Sequence, residues 1–408
     1  MAAALLVAFL VSAATTPLAK KIALRAGAID MPGKAGTRHH HKVPTPRMGG
    51  LAIFAGFFCA AFLFAPWTTK NISMLIGSVI IVALGALDDI YDLPAGRKLI
   101  IQLIAAAVAV AGGNQIHFFS RLVAMNAGHW RLGVLSVPAT LLWIVLITNA
   151  VNLIDGLDGL AAGVSTISCV SLVIIALLYS NPGVAIITSA LAGGCIGFLP
   201  YNRAPAKIFM GDTGSTFLGY VMAVASIQGL FKFYAIISFL IPFFMLGVPI
   251  FDTFFAVVRR LYHKDSPFKA DREHVHYRLL DLGFSKKQTV AMLYGVSALL
   301  GVTAVVTASA GLSRGLILLV VLGVAVGYML RRSHHHPPRH PPDPQSTGAS
   351  QDTQDPQSSG SSQDSQSLES TLDPGDSQST ESSQDLESTL DPENAPSQAG
   401  EEEQGQED

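Results

Sequence analysis

Cysteine is scarce in this chain, and so are charged residues. The three cysteines, Cys59, Cys169 and Cys195, lie inside apolar runs without any CxxC spacing. We interpret them as packing residues, and they support no inference about disulfides. Charged residues make up 14% of the 408 residues, whereas hydrophobic residues make up 50% and the mean hydropathy is +0.42. The hydrophobic core of one soluble domain cannot bury so many long apolar runs, so the composition predicts a polytopic membrane protein.

Eleven apolar stretches have spanning or near-spanning length. They cover residues 2–18, 49–65, 72–87, 99–112, 137–154, 160–179, 184–199, 215–230, 235–258, 289–310 and 315–330. Several are shorter than the ~20 residues of a full span, so their helices must extend into the flanking motifs or be short. No basic residue precedes the first stretch, which favours a retained helix over a signal peptide. We predict an all-α fold with about 11 transmembrane helices in a membrane domain of residues 1–332.

Basic residues predict the orientation in the membrane. Of the 27 Lys and Arg residues, 22 fall in the segments that would share one face, and that face is expected to be cytoplasmic. All 12 acidic residues before the C-terminal tail lie in or beside the same segments. The N-terminus is therefore predicted to lie outside a cell membrane, with the motifs and the tail in the cytoplasm.

The segment 333–408 has a different composition. Of the 29 acidic residues, 17 lie after Arg339, and no Lys or Arg follows it. The sequence LESTLDP occurs twice there, among Ser, Gln, Asp, Glu and Pro. Such a segment lacks the apolar content of a core, so we predict a disordered acidic tail.

The first polar cluster, DDIYDLPAGRK, follows the third apolar stretch. It places Asp88, Asp89 and Asp92 within five residues and Lys98 at the start of the next helix. Carboxylates at this spacing either bind Mg²⁺ or position and deprotonate a nucleophile, and the lysine would attract phosphate. Acidic residues near membrane depth are costly, so their grouping on one face indicates function.

The second cluster, NAVNLIDGLDGL, lies at the end of the fifth stretch. Asn149 and Asn152 share a helix face there, and Asp155 and Asp158 are expected to continue that line. Their oxygen atoms suit Mg²⁺ and the polar edges of a sugar or uracil. A glycine-rich helix-packing motif is the alternative, but it leaves these four polar residues unexplained.

The third cluster, YNRAPAKIFMGDTGS, brings Arg203 and Lys207 close to the start of the eighth helix. The unpaired N–H groups of a helix start favour phosphate, and Asp212 could hold the accompanying metal. A helix cap by Thr213 or Ser215 is the structural alternative, and it is compatible with the functional one.

The fourth cluster lies in the longest predicted cytoplasmic loop, residues 259–285. It combines six Lys and Arg residues with His274 and His276, and Lys286 and Lys287 follow directly. Two histidines two residues apart could suggest zinc, but no cysteine or third histidine follows at a suitable interval. Contacts of His and Arg with phosphate are therefore favoured.

Together, the motifs DDIYDLPAGRK, NAVNLIDGLDGLAAG, IFMGDTGS and SPFKADREHVHYRL make the chain resemble the polyprenyl-phosphate N-acetylhexosamine-1-phosphate transferases. The resemblance extends from residue 1 to about residue 330. The stretches VPTPRMGGLAIF and EHVHYRL are more similar to the teichoic-acid and common-antigen initiators than to the muramyl-pentapeptide translocases. This family commonly has a third His where the chain has Tyr277, to which we assign no role.

The resemblance implies an enzyme that starts a cell-wall or surface polysaccharide. A polyprenyl-phosphate oxygen attacks the β-phosphorus of a UDP-N-acetylhexosamine, with GlcNAc as the implied sugar, and UMP is released. Mg²⁺ is the implied cofactor, with Mn²⁺ as an alternative. Phosphoryl transfer depends mainly on positioning and charge, which agrees with these clusters. The implied partners are the UDP-sugar and the lipid phosphate in the bilayer; no nucleic acid is implied, and a homodimer is a candidate assembly.

The resemblance also implies residue roles. Asn152 and Asp212 are the implied metal ligands. Asp88 and Asp89 would engage the lipid phosphate, and whether Asp88 is a base, an orienting group or a nucleophile stays open. The other implied catalytic residues are Asp155, Lys98, His274 and His276, and the implied substrate-binding residues are Asn149, Asp158, Asn202, Phe209, Arg272 and Arg278. Phe209 is placed to stack on uracil.

Three other functions remain as alternatives. A muramyl-pentapeptide translocase activity belongs to the same superfamily. An ion-coupled transporter would predict acidic residues at mid-helix, on both faces, or an inverted repeat, and none of these is visible. A CDP-alcohol phosphotransferase would require Ala-Arg shortly after the first Asp-Gly, whereas DGLDGLAAG contains no arginine.

Overall fold

The structure, a computed structural model, describes residues 1–31, 43–116, 133–230, 243, 244, 246–262 and 275–334. Most of these residues lie in helices, and the described ranges contain 12 of them. In chain order they are α1 (Ala2–Arg25), α2 (Gly50–Phe64), α3 (Thr69–Tyr91), α4 (Ala95–Ala111), α5 (Ser136–Leu153), α6 (Leu160–Leu178), α7 (Pro182–Asn202), α8 (Gly211–Leu230), α9 (Gly247–Tyr262), α10 (Val275–Asp281), α11 (Lys286–Ala310) and α12 (Leu312–His334).

Local sequence signals explain where several helices begin. Asn181 caps α7, and Pro182 occupies its first turn, where the missing N–H group costs no hydrogen bond. Ser285 and Gln288 form a reciprocal capping box at the start of α11. The short apolar runs extend into the motifs, as expected. The run 72–87 becomes α3, whose last turn contains the polar residue Asp88.

Six described helices are long and apolar enough to cross a membrane: α1, α3, α5, α6, α7 and α11. Helix α2 and the segment Leu312–Val324 of α12 are shorter apolar helices. The predicted class of an all-helical, multi-pass membrane protein is confirmed. The number of 11 spans stays a prediction, because the stretch 235–258 lies partly outside the described residues.

Helix α1 shows how the bundle meets its surroundings. Its buried positions are small and recur every fourth residue, beginning with Ala4, Ala8 and Ser12. This face packs against α2 and α7, and small residues allow such close helix packing in membranes. Leu6 and Leu10 on the other face are exposed. Large exposed apolar side chains of this kind are stable where lipid, rather than water, surrounds the helix.

Helix α8 lies at the centre of the part of the bundle that carries the polar clusters. It packs against α2, α3 and α5, and its Phe217 and Tyr220 are fully buried. Gly85 of α3 allows the close approach, because a Cβ at this position would overlap the backbone of Thr213. The last turn of α3 therefore lies beside the first turn of α8.

A short two-stranded sheet precedes α2. Strand β1 (Ile29–Asp30) pairs antiparallel with β2 (Thr45–Pro46), which is the one sheet among the described residues. Arg47, directly after β2, forms an isolated parallel β-bridge with the backbone of Phe209. The segment 43–49 is thus held next to the residues that lead into α8.

Helix α12 continues to His334, past the predicted domain boundary at residue 332. Residues 335–408 lie outside the described residues. The predicted boundary and the predicted disordered tail therefore stay predictions.

Candidate active site

Three helices bring Asp88, Lys98 and Asp212 together. Asp88 is in the last turn of α3, Lys98 in the first turn of α4 and Asp212 in the first turn of α8. The Lys98 ammonium pairs with Asp88 Oδ2 and lies 3.0 Å from Asp212 Oδ2. Asp88 Oδ1 accepts a hydrogen bond from the Leu93 backbone N–H, at 2.8 Å. The first and third sequence clusters thus supply residues that lie side by side.

Asp89 has a different environment from Asp88, its neighbour in the chain. Its carboxylate accepts hydrogen bonds from the backbone N–H groups of Asp212, at 3.0 Å, and Thr213, at 3.1 Å. The Thr213 hydroxyl donates to it as well, at 2.5 Å. The N–H groups that were expected to bind phosphate at the start of α8 are therefore used by Asp89. That expectation was wrong, because the side chain that caps this helix comes from α3.

Arg47 joins the segment after β2 to the end of α3. Its Nε donates to the Asp89 carbonyl oxygen at 3.0 Å, and one of its terminal nitrogens lies 2.6 Å from Asp92 Oδ1. Burial alone would lower the pKa of the Arg47 guanidinium, but the hydrogen bond to Asp92 and the charges of Asp89 and Asp92 raise it overall. Arg47 thus carries a fixed positive charge beside the acidic cluster. The sequence analysis missed it, although it is a basic residue in the apolar stretch VPTPRMGGLAIF.

The two asparagines of α5 contact different helices. The Asn149 carboxamide pairs with that of Gln102 on α4, with Nδ2 2.7 Å from Gln102 Oε1. Asn152 Nδ2 donates to Ser215 Oγ on α8 at 3.1 Å. Ser215 is three residues after Asp212 on α8, so Asn152 contacts this helix about one turn from Asp212, its predicted partner in metal binding. Asn149 is part of a helix-to-helix contact that the sequence did not predict.

Helix α5 ends at Leu153, so Asp155 and Asp158 do not continue the helical line of the asparagines. Asp158 Oδ2 instead accepts a hydrogen bond from the Ala206 backbone N–H at 3.1 Å. Asp155 is partly exposed in the turn that follows α5. The prediction of one continuous polar face was wrong for these two residues, because the glycine-rich segment leaves the helix.

The segment 154–159 is hydrogen-bonded to two other parts of the chain. Asn202 accepts a hydrogen bond from the Gly159 N–H and donates one to the Ile208 carbonyl oxygen, both at 3.0 Å. The hydroxyl of Tyr294, on α11, donates to the Gly159 carbonyl oxygen at 2.6 Å. Asn202 thus links the second and third polar clusters. Tyr294 was missed, since a tyrosine inside an apolar run gives no local signal of this contact.

Phe209 is buried, with 3% exposure, and its backbone continues the contact with the segment after β2. Its N–H donates to the Pro46 carbonyl oxygen, and its own carbonyl accepts from the Gly49 N–H, both at 2.9 Å. Stacking of Phe209 on uracil stays a prediction.

The fourth cluster lies largely outside the described residues. This applies to Arg272 and His274, and to the side chain of His276. Arg278 is exposed on α10, whose first N–H, from Val275, donates to the buried Asp252 carboxylate at 2.8 Å. The roles of all four residues stay predictions.

The described residues contain no group of three or more His, Cys, Asp or Glu side chains arranged as a metal centre. They do place a cation, the Lys98 ammonium, between the carboxylates of Asp88 and Asp212. Carboxylate oxygens are the ligands that Mg²⁺ prefers. The Asp212 carboxylate and the nearby Asn152 amide oxygen are therefore ligands of the kind that fits a divalent cation.

Comparison with known proteins adds an independent observation. Residues 71–230 match glycosyl transferase family 4. The chain is 42% identical over 323 residues to the "Probable undecaprenyl-phosphate N-acetylglucosaminyl 1-phosphate transferase" of Bacillus subtilis (strain 168). The aligned region covers 78% of this chain and 89% of that protein. The chain is 32% identical over 294 residues to the "Decaprenyl-phosphate N-acetylglucosaminephosphotransferase" of Mycobacterium leprae (strain TN), covering 63% and 72%.

Proposed function

Because the chain belongs to glycosyl transferase family 4, we propose that it transfers N-acetylglucosamine 1-phosphate from UDP-N-acetylglucosamine to undecaprenyl phosphate and releases UMP. The resemblance seen in the four motifs is confirmed at the level of the family. The names of the relatives support the sugar and the lipid acceptor. The product would be the first lipid-linked intermediate of a cell-wall or surface polysaccharide made at the plasma membrane.

The observation that carries the proposal is the meeting of Asp88, Lys98 and Asp212 at the ends of three helices. In the reaction, an oxygen of the lipid phosphate forms a bond to the β-phosphorus of the UDP-sugar. The bond from this phosphorus to the bridging oxygen breaks, and UMP leaves with that oxygen. Such a transfer requires acceptors that orient the nucleophile and positive charge beside the phosphates. Asp88 supplies an acceptor for the nucleophile, and Lys98 supplies positive charge for the phosphates.

We assign the divalent cation, most simply Mg²⁺, to the side chains of Asp212, in the first turn of α8, and Asn152, in the last turn of α5. When bound, the cation neutralises charge on the pyrophosphate oxygens. The hydrogen bond from Asn152 to Ser215 supports this assignment, because it holds the Asn152 side chain against α8. The salt bridge from Lys98 likewise holds the Asp212 carboxylate towards Asp88. The chain's own residues thus set the position of both ligands.

The nucleoside is assigned to the segments joined by Asn202 and Asp158. Their hydrogen bonds fix residues 154–159 against residues 202–208. In this proposal Phe209 provides the aromatic contact to uracil, and Arg278 on α10 contacts phosphate. Asn149 and Asp155 complete the polar surroundings of the substrate.

The test is a UMP-release assay on the purified full-length protein with polyprenyl phosphate, Mg²⁺ and a panel of sugar nucleotides. We expect release with UDP-GlcNAc and none when polyprenyl phosphate is omitted. Asp212→Asn should lower turnover at least ~100-fold, the scale for loss of a preorganised electrostatic contact. Release only with UDP-MurNAc-pentapeptide would assign the translocase activity instead. Absence of release with every nucleotide would refute the enzyme, and solute flux in proteoliposomes would then test a transporter.

The proposed orientation places the N-terminus outside and the acidic cluster in the cytoplasm. It is supported by the distribution of Lys and Arg, of which 22 of 27 lie in segments assigned to one face. Reporter fusions after Ser120 and after Arg332 should indicate opposite sides of the membrane. Fusions that report the same side would contradict the assignment.

A further inference from the structure

The Asp89 carboxylate is directed at the protein backbone. Its side chain is 2% exposed, and both oxygens accept hydrogen bonds from the first turn of α8. Gly211 permits this approach, since a Cβ there would overlap the carboxylate and its φ of +72° favours glycine. Asp89 therefore satisfies N–H groups that a helix start otherwise leaves without partners.

The acceptor capacity of Asp89 is largely used within the protein. A carboxylate offers about four acceptor positions, and the two N–H groups and the Thr213 hydroxyl occupy three of them. Arg47 Nε adds a positive charge 3.9 Å from Oδ1. Asp88, by contrast, faces Lys98 and, across it, Asp212. Consecutive carboxylates in one helix thus have different partners.

We propose that Asp89 is a positioning residue, which acts through the start of α8 and makes no contact with the polyprenyl phosphate. This inference rests on the proposed function and changes the role that the family resemblance implied for Asp89. One of its donors is the N–H group of Asp212 itself. Asp89 therefore sets the distance from Asp212 to Asp88 and Lys98, and small displacements of reacting groups lower rates strongly.

Thr213 provides a way to weaken this contact without changing the carboxylate. Thr213→Val removes the hydroxyl donor and keeps the shape of the side chain, whereas Thr213→Ser retains the hydroxyl. The control is Thr188→Val on α7. Thr188 is buried, and its hydroxyl donates to carbonyl oxygens of its own helix. It lies one turn from Val184, which approaches Gly229 near the opposite end of α8.

The measurements are kcat, the KM for each substrate, and the temperature of unfolding, on full-length protein in detergent. A hydrogen bond to a charged group is strong enough for Thr213→Val to lower kcat about tenfold. Asp89→Asn should lower kcat at least ~100-fold, because its amide group would face backbone N–H donors. The KM for polyprenyl phosphate should stay within about twofold of wild type in both variants, as expected for a loss confined to the transition state. Thr213→Ser and Thr188→Val should stay close to wild type.

A double variant strengthens the test. If Thr213 acts through Asp89, Thr213→Val should add little to the effect of Asp89→Asn, because both remove the same contact. Multiplication of the two effects on kcat would overturn the proposal. So would an unchanged kcat in Thr213→Val, or a raised KM for polyprenyl phosphate in Asp89→Asn. If Asp89→Asn does not fold, the three threonine variants decide the question. A wild-type protein that releases no UMP refutes the proposed function instead, and that result is separate from the variant pattern.

Discussion

Replacement of Lys98 by methionine tests the centre of the proposed site. Methionine has a similar length and no charge, so Lys98→Met removes the ammonium that lies between Asp88 and Asp212. The two carboxylates would then face each other without a cation. The side chain of Asp88 is 6% exposed and that of Asp212 is 20% exposed, so water compensates them only in part.

The size of the effect follows from this burial. Removal of one partner from a buried ion pair destabilises a protein by about 3–5 kcal/mol. Because the Lys98 side chain is 26% exposed, we expect a smaller loss in the free energy of unfolding, about 2–3 kcal/mol. Turnover should fall at least ~100-fold, since the positive charge is lost where phosphates would bind.

The assay combines UMP release with thermal unfolding, at several Mg²⁺ concentrations. The matched control is Arg97→Met, which removes the same charge from an exposed neighbouring residue. Added Mg²⁺ should raise the unfolding temperature of Lys98→Met more than that of wild type, because a cation can then lie between the two carboxylates. Turnover and stability in Lys98→Met equal to those of Arg97→Met would refute the reasoning.

Three further predictions follow from individual contacts and segments. Tyr294→Phe should lower the free energy of unfolding by about 1 kcal/mol and raise the KM for the UDP-sugar. The control is Tyr179→Phe, which removes a hydroxyl contact to Ala308 and should leave that KM unchanged. Removal of divalent cations with EDTA should abolish UMP release, and Mg²⁺ should restore it; activity that persists in EDTA would contradict the metal assignment. Deletion of residues 342–408 should leave turnover nearly intact, because the candidate residues precede it; a loss of turnover in folded protein would contradict this.

The helices could be predicted from the sequence because their causes are local. Apolar runs coincide with helices, and the run 72–87 was too short to span, so its extension into DDIYDLPAGRK was expected and is observed. Helix α5, by contrast, ends at Leu153, before the two aspartates that were expected to continue its polar face. The sequence could not predict where the chain goes after that helix end. Asp158 therefore contacts Ala206 rather than continuing the face of α5.

The partners within the site could not be predicted, because they are distant in the chain. A local cap of α8 by Thr213 or Ser215 was the structural alternative, yet the cap is Asp89, from a helix more than a hundred residues earlier. No local pattern distinguishes Asp88 from Asp89, since both are aspartates at the end of one apolar run. Only the packing of α3 against α8, which Gly85 permits, gives them different partners.

The charges of this cluster also bear on the cation requirement. When all are ionised, Asp88, Asp89 and Asp212 contribute three negative charges, and Lys98 and Arg47 contribute two positive ones. The fourth carboxylate of these ion pairs, Asp92, is 64% exposed, so water screens its charge. A partly buried site with an excess of negative charge repels the pyrophosphate and the lipid phosphate alike. Anionic substrates can therefore bind beside these carboxylates only together with additional positive charge, and this is the physical reason to expect a divalent cation at Asp212.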